Sequence, residues 1–165
     1  MLGIKIDFFN LLAKESVMGN LTYVNILVAI DGSIQSEWAI RKGIEIAKRN
    51  MATLYIVNVI EQRAFLNEGI TAQEKAEKDA KEVLERYKEL ALQSNVKQVE
   101  VILEYGTAKH DIAKKIAPKV NADVIVCGKT GETNPIEHLF LGSVSEGILK
   151  HAKCDVLIVK SEKHF

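Results

Sequence analysis

Residues 123–131 read DVIVCGKTG, a short apolar run that stops at a glycine and continues into a polar loop. Apolar runs rich in β-branched residues are typical of strands that are buried on both faces of a parallel sheet. Residues 23–30, YVNILVAI, form a second such run, which stops at Asp31-Gly32-Ser33. We therefore expect a strand at each run, with a candidate binding loop beyond its carboxyl end, where open parallel sheets bind their ligands.

The rest of the chain alternates between strand patterns and helix patterns. Helical spacing of apolar residues follows Ser33, Thr71, Thr107 and Ser143, with Ser33 and Thr71 as expected caps. The order β-α-β-α-β-α-β-α-β predicts an α/β fold with a five-stranded parallel sheet, doubly wound as a three-layer sandwich. Polar residues alternate with apolar ones in the third strand, which predicts an edge position. The remaining strand patterns lie at 54–60, 99–103 and 155–160.

The composition is that of an ordinary globular domain. The chain has 165 residues, of which 47% are apolar, and its 22 Lys and Arg balance its 22 Asp and Glu. A general nucleic-acid binder carries a basic excess, so no nucleic-acid partner is expected. No apolar run approaches the roughly 18 residues that span a bilayer, so no membrane partner is expected either. Two cysteines cannot build a disulfide framework, which indicates a reducing cytoplasm.

Residues 1–22 are expected to form an N-terminal amphipathic extension to a domain at 23–165. The segment lacks the basic region and the cleavage site of a signal peptide, so we assign it to the mature protein. Its acidic and basic side chains balance, and we therefore expect it to dock on protein rather than on a membrane. The apolar residues with helical spacing are Ile4, Phe8, Leu11 and Leu12.

The loop that follows DVIVC carries the strongest chemical pattern. Gly128, Gly131 and Gly142 punctuate it, and Gly142-Ser143 opens a helix. Glycines allow a ligand to approach the backbone closely, and the free amides of a helix start attract anions. The spacing predicts a phosphate cradle in which the Ser143 and Ser145 hydroxyls are additional donors. The alternative is that Gly131 only turns the chain and Ser143 only caps the helix.

Two well-known phosphate motifs do not fit this chain. Gly128-Lys129-Thr130 is similar to the end of a P-loop, but Asp123 stands where that motif requires a glycine. The dinucleotide fingerprint after the first strand is also absent, because Asp31-Gly32-Ser33 supplies a single glycine.

No catalytic or metal-binding constellation is evident in the sequence. The four histidines are scattered without metal-ligand spacing, so we expect no metal held by protein side chains. Cys127 lies in a buried strand and is expected to be an inert core thiol. Asp31 is the one carboxylate that we expect at the pocket, although an aspartate there could instead cap the next helix. Without an assignable base, the pattern favours a binding protein over a fast enzyme.

Four segments resemble the universal stress protein family: NILVAIDGS, LYIVNVI, DVIVCGKTG and LGSVSEGILKHAKCDVLIVK. The resemblance covers residues 23–160. Family members that bind ATP share a glycine, two residues, a glycine, nine residues and then a glycine followed by serine or threonine. In this chain ten residues separate Gly131 from Gly142, so the loop is one residue longer, and it contains Pro135.

The resemblance implies a strand order of 3-2-1-4-5, and it implies ATP as the ligand, with Mg²⁺ or Mn²⁺ as the accompanying ion. It places Asp31 at the nucleoside, the backbone of Val59 at the adenine, and the glycines and serines of the loop at the ribose and the phosphates. The nucleotide-binding residues that it implies are Ala29, Asp31, Ser33, Val59, Gly128, Lys129, Gly131, Gly142, Ser143, Val144 and Ser145.

The family further implies a cytoplasmic homodimer that pairs through its fifth strand and regulates a stress response, with a protein partner of unknown identity. Two alternatives stay open. One is a slow ATP hydrolase or phosphotransferase that uses Mg²⁺ at the same site. The other is a family member without nucleotide binding that acts through protein contacts, and the longer loop keeps this alternative open.

Overall fold

A computed structural model describes residues 22–61, 70–129 and 141–160. Five parallel strands form one sheet in the order β3-β2-β1-β4-β5, which confirms the expected fold class and strand order. Residues 1–21 of the extension expected at 1–22, together with Gly131 and Pro135, lie outside the described residues. The strands are β1 (Asn25–Ile30), β2 (Thr53–Ile60), β3 (Gln98–Tyr105), β4 (Val124–Gly128) and β5 (Asp155–Val159).

Helical segments connect the strands. They are α1 (Ile34–Asn50), α2 (Ile70–Gln93), α3 (Ala108–Asp111), a π-helical turn (Ile112–Ile116), α4 (Ala117–Lys119) and α5 (Ser143–His151).

Two helix starts and one helix interior test the sequence patterns. Ser33 is the N-cap of α1, as expected, because its hydroxyl accepts a hydrogen bond from the Ser36 amide. The expected cap at Thr71 is wrong, since α2 already includes Ile70.

The single helix expected between β3 and β4 is divided by the π-helical turn just before Pro118. Proline has no amide hydrogen and its ring crowds the carbonyl four residues earlier, which accounts for the local widening of the helix.

The sheet separates two hydrophobic cores. Along β1, Ile26 and Val28 face the core that contains α1 and α2, whereas Leu27 faces the core that contains the π-helical turn and α5. All three side chains are completely buried. A strand that is apolar on both faces reads as a continuous run rather than as an alternating one, which is why β1 and β4 were recognisable in the sequence.

At the amino end of the sheet, β1 and β4 are held together by a carboxylate. Asp123 Oδ2 accepts hydrogen bonds from the amides of Val24 and Asn25, at 2.7 and 2.8 Å. Tyr23 Oη donates to Asp155 at 3.0 Å, and this hydrogen bond, with burial and the nearby negative charge, raises the pKa of the phenol. The starts of β1, β4 and β5 are therefore cross-linked by side chains.

At the carboxyl end, β1 and β4 separate. Their pairing runs from Ile26–Val124 to Val28–Val126 and then stops, although β1 continues to Ile30 and β4 to Gly128. The chain order of the sheet reverses between these two strands, because β1 leads outward to β2 and β4 leads outward to β5. Open α/β sheets bind ligands in the crevice at such a switch point, so the fold directs attention to the loops after β1 and β4.

Met51 provides a test of the backbone at the end of α1. It adopts a left-handed conformation with φ of 53°, and its side chain is 91% exposed. We expect Met51→Gly to increase the free energy of unfolding by roughly 0.5–1 kcal/mol, because glycine avoids the steric cost of this conformation but loses more entropy on folding. Denaturant unfolding would measure the change. Met51→Ala is the matched control and should give no gain, and an equal gain in both variants would contradict the argument.

Candidate functional site

The turn after β1 is built around Asp31. Gly32 has φ of +87°, a conformation that glycine adopts without strain. Asp31 Oδ1 accepts hydrogen bonds from the Ser33 amide at 3.0 Å and from the Ser33 hydroxyl at 2.6 Å. Ser33 Oγ in turn accepts a hydrogen bond from the Ser36 amide at 3.1 Å. Ser33 is therefore the helix cap and Asp31 orients it, so the alternative in which Asp31 itself caps α1 is wrong.

These contacts leave the two side chains in different positions. Ser33 is 5% exposed and its hydroxyl is engaged both as a donor and as an acceptor. Asp31 is exposed beyond the end of β1. Of these two candidate binding residues, Asp31 can reach a ligand with its carboxylate. The Ser33 hydroxyl instead stabilises the turn through its hydrogen bonds to Asp31 and Ser36.

Gly128, at the end of β4, lies against the first turn of α1. A side chain at this position would begin 2.9 Å from the carbonyl carbon and from the Cβ of Gln35. The sequence pattern suggested a glycine that a ligand approaches closely. The structure shows that the backbone of Gln35 approaches Gly128 closely, which positions the start of α1 over the end of β4.

The loop between β4 and α5 is closed at its base. The Lys129 amide donates to Val159 O at 2.9 Å, and the Gly142 amide donates to Lys129 O at 2.8 Å. Ser145 Oγ lies 2.8 Å from Gly128 O and 2.9 Å from Lys129 O, so its single hydrogen is shared between two carbonyls. Ser145 is 4% exposed, and its hydroxyl holds the start of α5 against the end of β4.

The amino terminus of α5 has the features of an anion-binding site. Gly142 is the N-cap, with φ of −67° and ψ of 155°, and a glycine has no side chain with which to cap the helix. By helix geometry the first-turn amides have no intrahelical acceptor, and the helix dipole makes this end positive. Ser143 is the exposed first residue of the helix rather than its cap, which corrects the alternative capping role. Ser143, Val144 and Ser145 thus contribute backbone amides.

The other sequence candidates lie around the same edge. Ala29 is 8% exposed on the part of β1 that no longer pairs with β4. Val59 is half-buried and lies on the part of β2 that extends past β1. The pairing of β2 with β1 ends at Asn58, whereas the pairing of β2 with β3 continues to Ile60. Lys129 is half-buried, and its backbone forms the loop base. Gly131 lies outside the described residues.

Among residues 22–61, 70–129 and 141–160, no group of three or more His, Cys, Asp or Glu side chains could hold a metal ion. No helix within these ranges is long and apolar enough to cross a bilayer. Below the loop base, burial raises the pKa of the Cys127 thiol to about 11, an effect partly offset by a hydrogen bond with Ser145.

The raised pKa of Cys127 makes its reactivity predictable. At pH 8 a thiol of pKa about 11 is roughly 0.1% thiolate, against about a quarter for a thiol of ordinary pKa. In a Cys154→Ser variant, we expect iodoacetamide to modify folded Cys127 at least 100-fold more slowly than the same chain in denaturant. Mass spectrometry would follow the modification. Comparable rates in the folded and denatured chains would contradict the buried, hydrogen-bonded environment.

Comparison with known proteins agrees with this architecture. The sequence model of the universal stress protein family matches residues 22–160. A Staphylococcus aureus (strain USA300) relative that carries a universal stress protein name is 48% identical over 146 residues, which cover 87% of each chain.

Solved structures show the same similarity. The universal stress protein UspA from Lactobacillus plantarum superposes with a TM-score of 0.75 at 26% identity, over 85% of this chain and 99% of that one. A universal stress protein solved in complex with cAMP superposes with a TM-score of 0.67 at 26% identity, over 86% of this chain and 99% of that one. The chain belongs to the universal stress protein family.

Proposed function

We propose that this protein binds ATP, with Mg²⁺ or Mn²⁺ as the accompanying ion, and acts in the cytoplasm as a nucleotide-dependent regulatory homodimer in a stress response. The observation that carries the proposal is the position of the α5 amino terminus. Its N-cap is a glycine, and it lies beside the end of β4, where β4 and β1 have separated.

The phosphates would bind to the amides at the start of α5. Phosphate is a strong acceptor with high negative charge, and a helix amino terminus supplies aligned donors together with a positive dipole end. The Ser143 hydroxyl is exposed at this position and can add a further donor. Ser145 contributes indirectly, because its hydroxyl fixes the helix start against the carbonyls of Gly128 and Lys129.

The nucleoside would lie on the β1 and β2 side of the crevice. Asp31 is exposed there, and β2 extends past the end of its pairing with β1 up to Val59 and Ile60. The related universal stress protein that was solved with cAMP supports a nucleotide ligand for this fold. A divalent ion would be held chiefly by the phosphates, with exposed carboxylates of Asp31 and Glu61 near the same edge.

We propose that the site binds the nucleotide rather than hydrolyses it. A hydrolase needs a base that aligns the attacking water, and Asp31 Oδ1 already accepts two hydrogen bonds from Ser33. The arrangement favours a site that holds a nucleotide and reports its presence through the loop between β4 and α5.

Gly142 offers the direct test of nucleotide binding. Its φ of −67° and ψ of 155° suit any L-residue, so Gly142→Val should fold normally while placing a branched side chain where phosphate would lie. We expect the affinity for Mg²⁺–ATP to fall about tenfold or more, or about 1.4 kcal/mol, in calorimetric titration.

Ala152→Val is the matched control for this test. Ala152 flanks the other end of α5 with similar backbone angles, φ of −63° and ψ of 142°, so valine there should leave nucleotide affinity unchanged. Equal affinity of the wild-type protein and a folded Gly142→Val variant for Mg²⁺–ATP would contradict phosphate binding at the start of α5.

The proposed dimer rests on the edge strand β5. An edge strand presents unpaired backbone groups, and proteins protect such edges with charges or cover them. The opposite edge strand β3 carries Glu100 and Glu104, whereas β5 exposes Leu157, and the neighbouring α5 exposes Leu149 at 53%. A second copy of the chain would cover this apolar edge.

Leu157→Glu tests the dimer. A carboxylate in the centre of β5 should disfavour strand pairing between two copies, because burying it unpaired is costly. Light scattering should give twice the chain mass of 18.4 kDa for the wild-type protein and a shift towards the single-chain mass for the variant. Leu92→Glu, on an exposed position of α2, is the control and should stay dimeric. A monomeric wild-type protein at micromolar concentration would contradict the dimer.

A further inference from the structure

Two histidines that are 41 positions apart in the sequence lie side by side in the structure. His110 is exposed on α3, and His151 is half-buried at the end of α5. Their ring centroids are 5.2 Å apart and their planes are inclined by 59°. Neither residue belongs to the crevice at the carboxyl end of β1 and β4, because His151 is the last residue of α5 and the crevice lies at its first.

The helices that carry the pair are held in close contact. A side chain at Gly147 would begin 2.5 Å from Lys109 O and 2.8 Å from Lys109 Cβ, so the two backbones approach more closely than any other residue would allow. His110 follows Lys109 directly, and His151 is one helical turn after Gly147. This contact brings together the two helical segments that carry the rings.

The hydrogen bond of His151 identifies its available nitrogen. His151 Nδ1 lies 2.8 Å from Gly147 O. A carbonyl oxygen can only accept, so Nδ1 carries the hydrogen and the neutral ring keeps its lone pair on Nε2. A ring nitrogen that donates to a backbone carbonyl while the other nitrogen keeps its lone pair is the arrangement found in metal-binding histidines.

We propose that His110 and His151 form a binding site for one divalent transition-metal ion with imidazole preference, for which Zn²⁺ is the probe. With metal–nitrogen bonds of about 2.0–2.1 Å, a metal lies about 3.2 Å from each ring centre, and two rings on a tetrahedral centre have centres about 5.2 Å apart. The observed spacing matches this value. Water or a small anion fills the remaining positions, since two side chains supply only part of a tetrahedral set.

The two imidazole ligands define what kind of ion the site selects. Lys109 and Lys150 are exposed and flank the pair in sequence, and the Asp111 carboxylate is engaged by the Thr107 amide at 2.8 Å. Hard ions such as Mg²⁺ prefer oxygen ligands and gain little from two imidazoles. Binding should therefore be selective for Zn²⁺ over Mg²⁺.

Calorimetric titration of the metal-stripped, full-length protein with ZnCl₂ tests the site. We expect one Zn²⁺ per chain, a loss of affinity of about tenfold or more in His110→Asn and in His151→Asn, and unchanged affinity in His164→Asn. Circular dichroism would verify that each variant is folded. With Co²⁺ in place of Zn²⁺, intense visible bands should appear in the wild-type protein and be absent from the double variant.

Three results would overturn the proposal. The first is no Zn²⁺ binding by the wild-type protein at concentrations up to about 100 μM. The second is full-affinity binding by the His110→Asn, His151→Asn double variant. The third is a Co²⁺ spectrum that the double substitution leaves unchanged. Each of these outcomes is independent of nucleotide binding, because none of the measurements includes a nucleotide.

Discussion

The hydrogen bonds of Ser145 are the contact on which the candidate site depends. Its hydroxyl lies within 2.9 Å of the carbonyls of both Gly128 and Lys129, and the Gly142 amide binds the second of these carbonyls as well. The two ends of the loop between β4 and α5 therefore meet at one point. This closure holds the start of α5, whose N-cap is Gly142, beside the crevice at which β1 and β4 separate. Buried hydrogen bonds of this kind are costly to break, because an unsatisfied carbonyl loses its partner in a low-dielectric environment.

Much of the fold was predictable because the central strands β1 and β4 are apolar on both faces. β1 and β4 read as continuous runs, and the alternation of strands and helices indicates a parallel sheet. The strand order was not available from local patterns. It depends on pairing between residues far apart, such as Ile26 with Val124, and it was expected only from the family resemblance. The π-helical turn before Pro118 escaped prediction because the apolar spacing of Ile112 and Ile116 fits an unbroken helix.

The candidate site was predictable as a set of loops but not as a set of atoms. The sequence identified the turns after β1 and β4, whereas the structure assigns Ser33 and Ser145 to holding the backbone and Gly128 to admitting the first turn of α1. A serine or a glycine in such a turn can either bind a ligand or hold the backbone in place. Only the partners of its hydrogen bonds and contacts distinguish the two roles. His110 and His151 meet for a different reason, since their approach depends on Gly147, which no spacing rule connects to either histidine.

The most direct test of the central claim is a backbone-amide NMR titration of the full-length protein with Mg²⁺–ATP. A nucleotide held at the start of α5 should shift the amides of Ser143, Val144 and Ser145 most strongly, with smaller shifts at Asp31 and Val59. The amides at the end of α2, which leads into the opposite edge strand β3, should keep their chemical shifts unchanged. Saturable shifts centred on the first turn of α5 are the predicted result, and shifts that are absent there, or centred elsewhere, would contradict the account.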